Sequence, residues 1–156
     1  MILTFSGCYT LKSASIPPEL KTINVAVFEN ATPFVPDLSL KFTDLLKARI
    51  RSTTRLSVVN GEANARLSGT ITDYHIAPIS IQATNNNTAP IAGAEVLSIT
   101  INVKFVYDAN RKLSFEQAFT KTVNFSGDLA SQEASLIETI NKQLIDDIFN
   151  RAFNNW

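Results

Sequence analysis

The chain has 156 residues, with 14 lysines and arginines balanced by 14 aspartates and glutamates, one histidine and one cysteine. This length suits one domain; the zero net charge excludes the broad basic field of a nucleic-acid-binding protein, and a single cysteine excludes an internal disulfide. No run of residues approaches the roughly 20 apolar positions that a membrane-spanning helix needs.

The single cysteine, Cys8, follows an apolar stretch and a small Ser-Gly pair. This pattern is typical of the end of a bacterial lipoprotein signal, just before the residue that receives acyl chains. The apolar stretch is shorter than that of a secretory leader and has no basic residue before it. We interpret residues 1–8 as the remnant of a lipoprotein signal ending at the lipidated Cys8, and residues 9–156 as a single domain. The alternative is an ordinary N-terminus in which Cys8 is a small buried thiol.

The first half of the domain predicts one strand and one helix. Two prolines favour an extended tether over residues 9–21, and apolar residues alternate with polar or small ones in a strand at 23–27. Residues 30–36 predict a turn region. Beyond it, Asp37 is a suitable N-cap for a helix that ends near Thr53. Its apolar positions recur at helical spacing: Leu38, Phe42, Leu45, Leu46 and Ile50.

Three more strands follow. The first, at 67–81, contains a bulge near residues 74–76, where the apolar phase switches, and a long polar loop follows at 84–90. The next strand, at 97–107, has an apolar residue at every odd position. A hairpin turn at 108–111 leads to the last strand, whose apolar face is formed by Phe115, Phe119, Val123 and Phe125.

An amphipathic helix at roughly 131–154 closes the chain. Its apolar stripe consists of Ile137, Ile140, Leu144, Ile148 and Ala152, widened by Ile145, Phe149 and Phe153. The predicted order is therefore β-α-β-β-β-α. Because both helices have broad apolar faces to bury, we expect an α+β two-layer sandwich, with both helices on one face of a four-stranded sheet.

The sequence gives little support for catalysis. His75, the only histidine, lies in a strand-like segment, and the chain contains no metal-ligand spacing, nucleophile elbow or glycine-rich phosphate loop. We predict a protein that is not an enzyme and that uses no metal or cofactor. A hydrolase that uses His75 is the remaining catalytic alternative.

The even positions of the strands form what we call the open sheet face, the face turned away from the helices. They carry hydroxyls and amides with few charges, chiefly Lys104 and Glu116. Such groups can hydrogen-bond a partner without the cost of desolvating charges, so we predict a docking surface for a protein or a glycolipid. The alternative is that threonine simply favours strands. The residues that we assign to docking are Thr70, Thr72, Thr100, Asn102, Thr120 and Thr122.

Basic residues lie near the predicted hairpin turn. Lys104 precedes it, and Arg111 and Lys112 lie at its tip. Arginine and lysine pair well with phosphate, so these residues can bind an anionic head group. The alternative, which is the more common role of such residues, is an ordinary solvated surface.

Three segments resemble the LptE family of lipopolysaccharide-assembly lipoproteins in its Bacteroidetes-type form. They are Ser6-Gly7-Cys8-Tyr9, the Ser-Ile-Pro-Pro run within residues 14–23, and Phe28-Glu29-Asn30. The predicted order of elements is also similar to that family's fold.

The resemblance implies a non-enzymatic lipoprotein on the periplasmic face of the outer membrane, attached through acyl chains on Cys8. It also implies that the protein plugs the LptD β-barrel, assists the assembly of that barrel and contacts lipopolysaccharide on its way to the surface. Lys104, Arg111 and Lys112 are assigned to lipopolysaccharide by location alone. The alternative is a lipid-tethered or soluble periplasmic binding module of the same fold, serving another ligand or secretion machine.

Overall fold

The computed structural model describes residues 16–79 and 93–154. Cys8, the signal segment 1–8 and the polar loop predicted at 84–90 lie outside the described residues. The described elements are β1 (Thr22–Val25), β2 (Glu29–Asn30), α1 (Leu38–Thr53), β3 (Ser57–Val59), β4 (Ala65–Pro78), β5 (Ala94–Tyr107), β6 (Phe115–Ser126) and α2 (Leu129–Phe153). A 3-10 helix, Arg111–Leu113, lies in the hairpin between β5 and β6.

Within the described ranges the sheet has six strands, so the prediction of four was wrong. The order across the sheet is β3-β1-β4-β5-β6, and β2 pairs with β4. Strands β1 and β2 lie end to end, parallel to β4, because β1 pairs with residues 65–67 and β2 with residues 70–71. Strands β4, β5 and β6 form an antiparallel meander with long, regular pairing.

The predicted α+β architecture is confirmed apart from the additional strands. One core combines the odd positions of β5 from Leu97 to Tyr107 with the predicted stripe of α2, all of them buried. Helix α2 packs on β5 and β6, and α1 packs beside α2. Two predicted core positions are wrong: Leu45 is 46% exposed, and Val27, which follows the end of β1, is 55% exposed.

The helix boundaries follow local chemistry. Helix α1 begins after Asp37 and ends at Thr53, as predicted, although the Asp37 carboxylate pairs with Lys41 Nζ at 2.6 Å and does not cap the helix. Helix α2 begins two residues earlier than predicted, because Asp128 Oδ2 accepts a hydrogen bond from the Ser131 N–H at 3.0 Å.

The predicted bulge exists in β4, but it lies between Ile71 and Asp73, slightly before the predicted position. The extra residue is Thr72. Beyond it, the side chains of β4 exchange faces relative to a regular strand, which changes the composition of the open sheet face.

Candidate functional site

The open sheet face is built by alternate residues of β4, β5 and β6. Thr70 of β4 lies opposite Asn102 of β5, and Thr100 of β5 lies opposite Thr120 of β6. The hydroxyls of Thr100 and Thr120 are 2.8 Å apart and share one hydrogen bond across the strands. A hydroxyl has one donor and two acceptor positions, so each keeps capacity for a partner.

The two remaining predicted docking residues lie on the same face. Thr122 of β6 lies opposite Ser98 of β5 and is exposed. Thr72, at the bulge, is also exposed, and its Oγ1 donates to the carbonyl of Thr100 at 3.4 Å. The structure thus brings the six predicted docking residues together on the face opposite the helices.

The face carries more charge than predicted. Because the bulge shifts the phase of β4, Asp73 lies opposite Thr100 and His75 lies opposite Ser98, both on the open side and exposed. Arg66 lies near the other end of β4 and pairs with Asp108 at 3.0 Å. The face therefore combines hydroxyls and amides with charged residues, of which Asp73 lies beside the central Thr100. Sequence reasoning missed Asp73 and His75, since the position of the bulge decides which side they face, and it missed Arg66 because the strand was predicted to begin only at residue 67.

The predicted basic residues lie at one end of this face. Lys104 of β5 is exposed between Ser68 of β4 and Glu116 of β6. Arg111 and Lys112 lie beyond it, exposed, in the 3-10 helix of the hairpin. The structure therefore places these three residues at the same end of the sheet.

In the part of the chain that the structure describes, no side chains are arranged in a way that supports catalysis or metal binding. His75 makes no hydrogen bond with a serine or threonine hydroxyl there, so no activated nucleophile accompanies it. Among the same residues, no group of three or more histidine, cysteine or acidic side chains is arranged to hold a metal ion. The two described helices are also too short or too polar to cross a bilayer.

Comparison with known proteins gives one family match. The model of the LptE family, described as lipopolysaccharide-assembly, matches residues 20–152. No curated protein matches the chain significantly.

Solved structures share the fold at low sequence identity. A protein from Xanthomonas campestris is 12% identical, covers 91% of this chain and 92% of its own, and has a TM-score of 0.56. A hypothetical protein from Chlamydia trachomatis is 10% identical, covers 85% and 95%, and has a TM-score of 0.55. An uncharacterized lipoprotein B from Nitrosomonas europaea is 15% identical, covers 83% and 79%, and has a TM-score of 0.51. These similarities show a shared α+β fold.

Proposed function

Because the chain belongs to the LptE family of lipopolysaccharide-assembly proteins, we propose that it is an outer-membrane lipoprotein that plugs the LptD β-barrel and assists the assembly of that barrel. It acts by binding and breaks no bond. The observation that carries the proposal is the open sheet face, where six uncharged polar side chains lie together on long, well-paired strands.

The chemistry of this face suits a surface that lies against a protein wall. Hydroxyls and amides can exchange hydrogen bonds with water for hydrogen bonds with a partner, whereas a desolvated charge needs a partner of opposite sign. The pairing of Thr100 with Thr120 holds two of these hydroxyls in place before binding. A rigid strand platform loses less conformational entropy on docking than a loop would.

The basic end of the sheet supports the contact with lipopolysaccharide. Lys104, Arg111 and Lys112 are exposed at the hairpin end of the sheet, where phosphate groups can reach them. Asn110 Oδ1 accepts a hydrogen bond from the Lys112 N–H at 3.2 Å, which fixes the backbone of the tip. We assign these three residues to the head group.

Attachment to the periplasmic face of the outer membrane is proposed through acyl chains on Cys8. Each buried CH₂ contributes about 0.8 kcal/mol, and stable anchoring takes more than one chain. A tethered domain stays at high local concentration beside a barrel in the same membrane.

The amount of LptD that co-purifies with the chain tests the proposal. We expect Thr100→Glu or Thr122→Glu to reduce co-purification of LptD by roughly tenfold or more, because each places an unpaired carboxylate against a partner. The matched control is Thr139→Glu, an exposed threonine on the outer side of α2. Circular dichroism and thermal melting should show that all three variants fold.

Two results would contradict the proposal. Undiminished recovery of LptD with both sheet variants would remove the docking face. A wild-type chain that purifies with no barrel at all would favour the alternative, a periplasmic binding module that serves another ligand or secretion machine.

A further inference from the structure

A groove runs between the first halves of α1 and α2, on the side of the molecule opposite the open sheet face. Its volume is about 660 Å³. The apolar side chains that line it are Val35, Leu38, Leu45, Ala134 and Ile137. Leu45 is 46% exposed, although the other apolar positions of α1 that the sequence places in the core are buried. The groove therefore leaves apolar surface open to a partner.

Asn141 in the wall of the groove has an unsatisfied acceptor. Its side chain is buried, and its Oδ1 has no hydrogen-bond partner among the described residues. A buried polar atom without a partner costs free energy, and native proteins satisfy nearly all such atoms. Asn141 lines the groove, so its side-chain amide signals can report on an occupant, although its buried Oδ1 is not itself open to the groove.

The rim of the groove is acidic. Three carboxylates surround it, those of Asp44, Glu133 and Glu138, against the single cation of Lys41. Lys41 is already paired with Asp37 at 2.6 Å. Asp44 and Glu138 make no ion pair within the ranges that the structure describes. The rim therefore attracts a positively charged occupant.

We propose that this groove binds a peptide segment of another protein that presents an apolar side chain beside a lysine or arginine. The apolar lining receives the apolar side chain, and the acidic rim pairs with the cation. This site goes beyond the proposed function, because it uses the helical side of the molecule and none of the docking or basic residues assigned above.

The same charges disfavour a lipid phosphate in the groove. Phosphate next to Asp44, Glu133 and Glu138 would meet like charges, which disfavours binding. The molecule thus separates a basic end of the sheet, suited to an anion, from an acidic groove between the helices, suited to a cation.

Nuclear magnetic resonance of the full ¹⁵N-labelled chain tests the proposal with defined probes. One probe is a short acetylated peptide of alternating leucine and lysine, and its counterpart alternates leucine and glutamate. We expect the lysine peptide to shift the Asn141 side-chain amide signals and the glutamate peptide to leave them unchanged. The double variant Asp44→Lys/Glu138→Lys should weaken binding of the lysine peptide by roughly tenfold. The control Glu62→Lys, on an exposed loop, should leave the affinity unchanged.

A second variant separates binding from folding. Leu45→Ser removes exposed apolar lining without emptying the core, so it should melt like the wild type while binding the peptide several-fold more weakly. Equal binding of the two peptides, or equal affinity of the groove double variant and the wild type, overturns the proposal. So does a self-association that the double variant abolishes, which would identify a second copy as the occupant.

Discussion

The ring of Phe28 lies against Gly69, which faces the helices from the middle of β4. A Cβ atom at residue 69 would come within 2.5 Å of Phe28 Cε1 and 2.6 Å of the Asn102 carbonyl oxygen. The second contact is with backbone, which cannot rotate away. Gly69 therefore provides the recess in which the buried Phe28 side chain lies between the sheet and Phe42, whose ring centroid is 5.1 Å away.

We expect Gly69→Ala to lower the free energy of unfolding by about 1–3 kcal/mol, since overpacking displaces both Phe28 and the neighbouring strand. The reduced entropy of the unfolded chain would offset only about 0.4–1 kcal/mol of this loss. Urea denaturation measures the change. Ser68→Ala, one residue away on the open sheet face, is the control and should stay within about 0.5 kcal/mol of the wild type. A Gly69→Ala protein as stable as the wild type would show that the recess is not needed.

Three separate elements meet at Tyr74 of β4. The Phe34 ring, in the loop before α1, stacks on the Tyr74 ring with centroids 5.4 Å apart. The Tyr74 hydroxyl donates to Glu133 Oε1 of α2 at 2.5 Å. This residue therefore connects the sheet to both the loop and the second helix. Burial, together with the hydrogen bond to Glu133, raises the pKa of Tyr74 well above its usual value of 10.0.

The raised pKa of Tyr74 predicts a loss of stability in alkali. Above pH 10 the unfolded chain ionises this tyrosine while the folded chain keeps it protonated, so the unfolded state binds fewer protons. The stability from Tyr74 is complete below pH 10 and falls as the pH rises towards the folded pKa. We expect Tyr74→Phe to be less stable at neutral pH by about 1 kcal/mol and to lose stability less steeply between about pH 10 and 12.

Thermal melting across this pH range measures the slope for each variant. Glu133→Gln is the matched variant, because it keeps an acceptor for the hydroxyl but removes the charge, so its slope should lie between those of wild type and Tyr74→Phe. Identical slopes for wild type and Tyr74→Phe would mean that this tyrosine titrates alike in both states.

The long elements could be predicted because each has enough residues to show a period. Alternation over β5 and β6 and the helical spacing in α2 identify their buried faces, and the hairpin between β5 and β6 fixes their register. Thr100, Asn102, Thr120 and Thr122 were therefore placed on one face from sequence. Strands β2 and β3 have two and three residues, which is too few for any period, so the prediction of four strands missed both.

Features that depend on contacts between distant elements could not be predicted. The sides on which Asp73 and His75 lie depend on the single extra residue at the bulge, and sequence periodicity located that bulge only approximately. The groove depends on how α1 packs beside α2, so helical spacing placed Leu45 in the core and did not single out Asn141. The residues of the open sheet face were thus predictable where regular strand pairing fixes which side they face. The residues of the groove were not, because the packing of α1 beside α2 decides which of them are exposed.

The whole molecule has zero net charge but is locally polarised. The hairpin end of the sheet presents Lys104, Arg111 and Lys112, while the groove on the helical side presents Asp44, Glu133 and Glu138. Opposite local fields orient a molecule towards partners of opposite charge even when the total is zero. Two faces of different chemistry allow the same domain to contact two partners at once.

Anchoring and docking should be separable in the intact protein, since Cys8 is far along the chain from the strands that form the open sheet face. With a lipoprotein leader in front of the wild-type chain and an ordinary cleavable secretory leader in front of the Cys8→Ser chain, we expect Cys8→Ser to move the protein from the membrane fraction to the soluble fraction, because the acyl chains are its only proposed attachment. The purified Cys8→Ser protein should still melt like the wild type and bind detergent-solubilised LptD, because no part of the open sheet face changes. Thr100→Glu should show the reverse, with the protein in the membrane fraction and no barrel recovered. A Cys8→Ser protein that stays in the membrane fraction would contradict lipid anchoring, unless LptD holds the protein there. The double variant Cys8→Ser/Thr100→Glu distinguishes these two cases. It moves to the soluble fraction only if binding to the barrel had kept the Cys8→Ser protein in the membrane fraction.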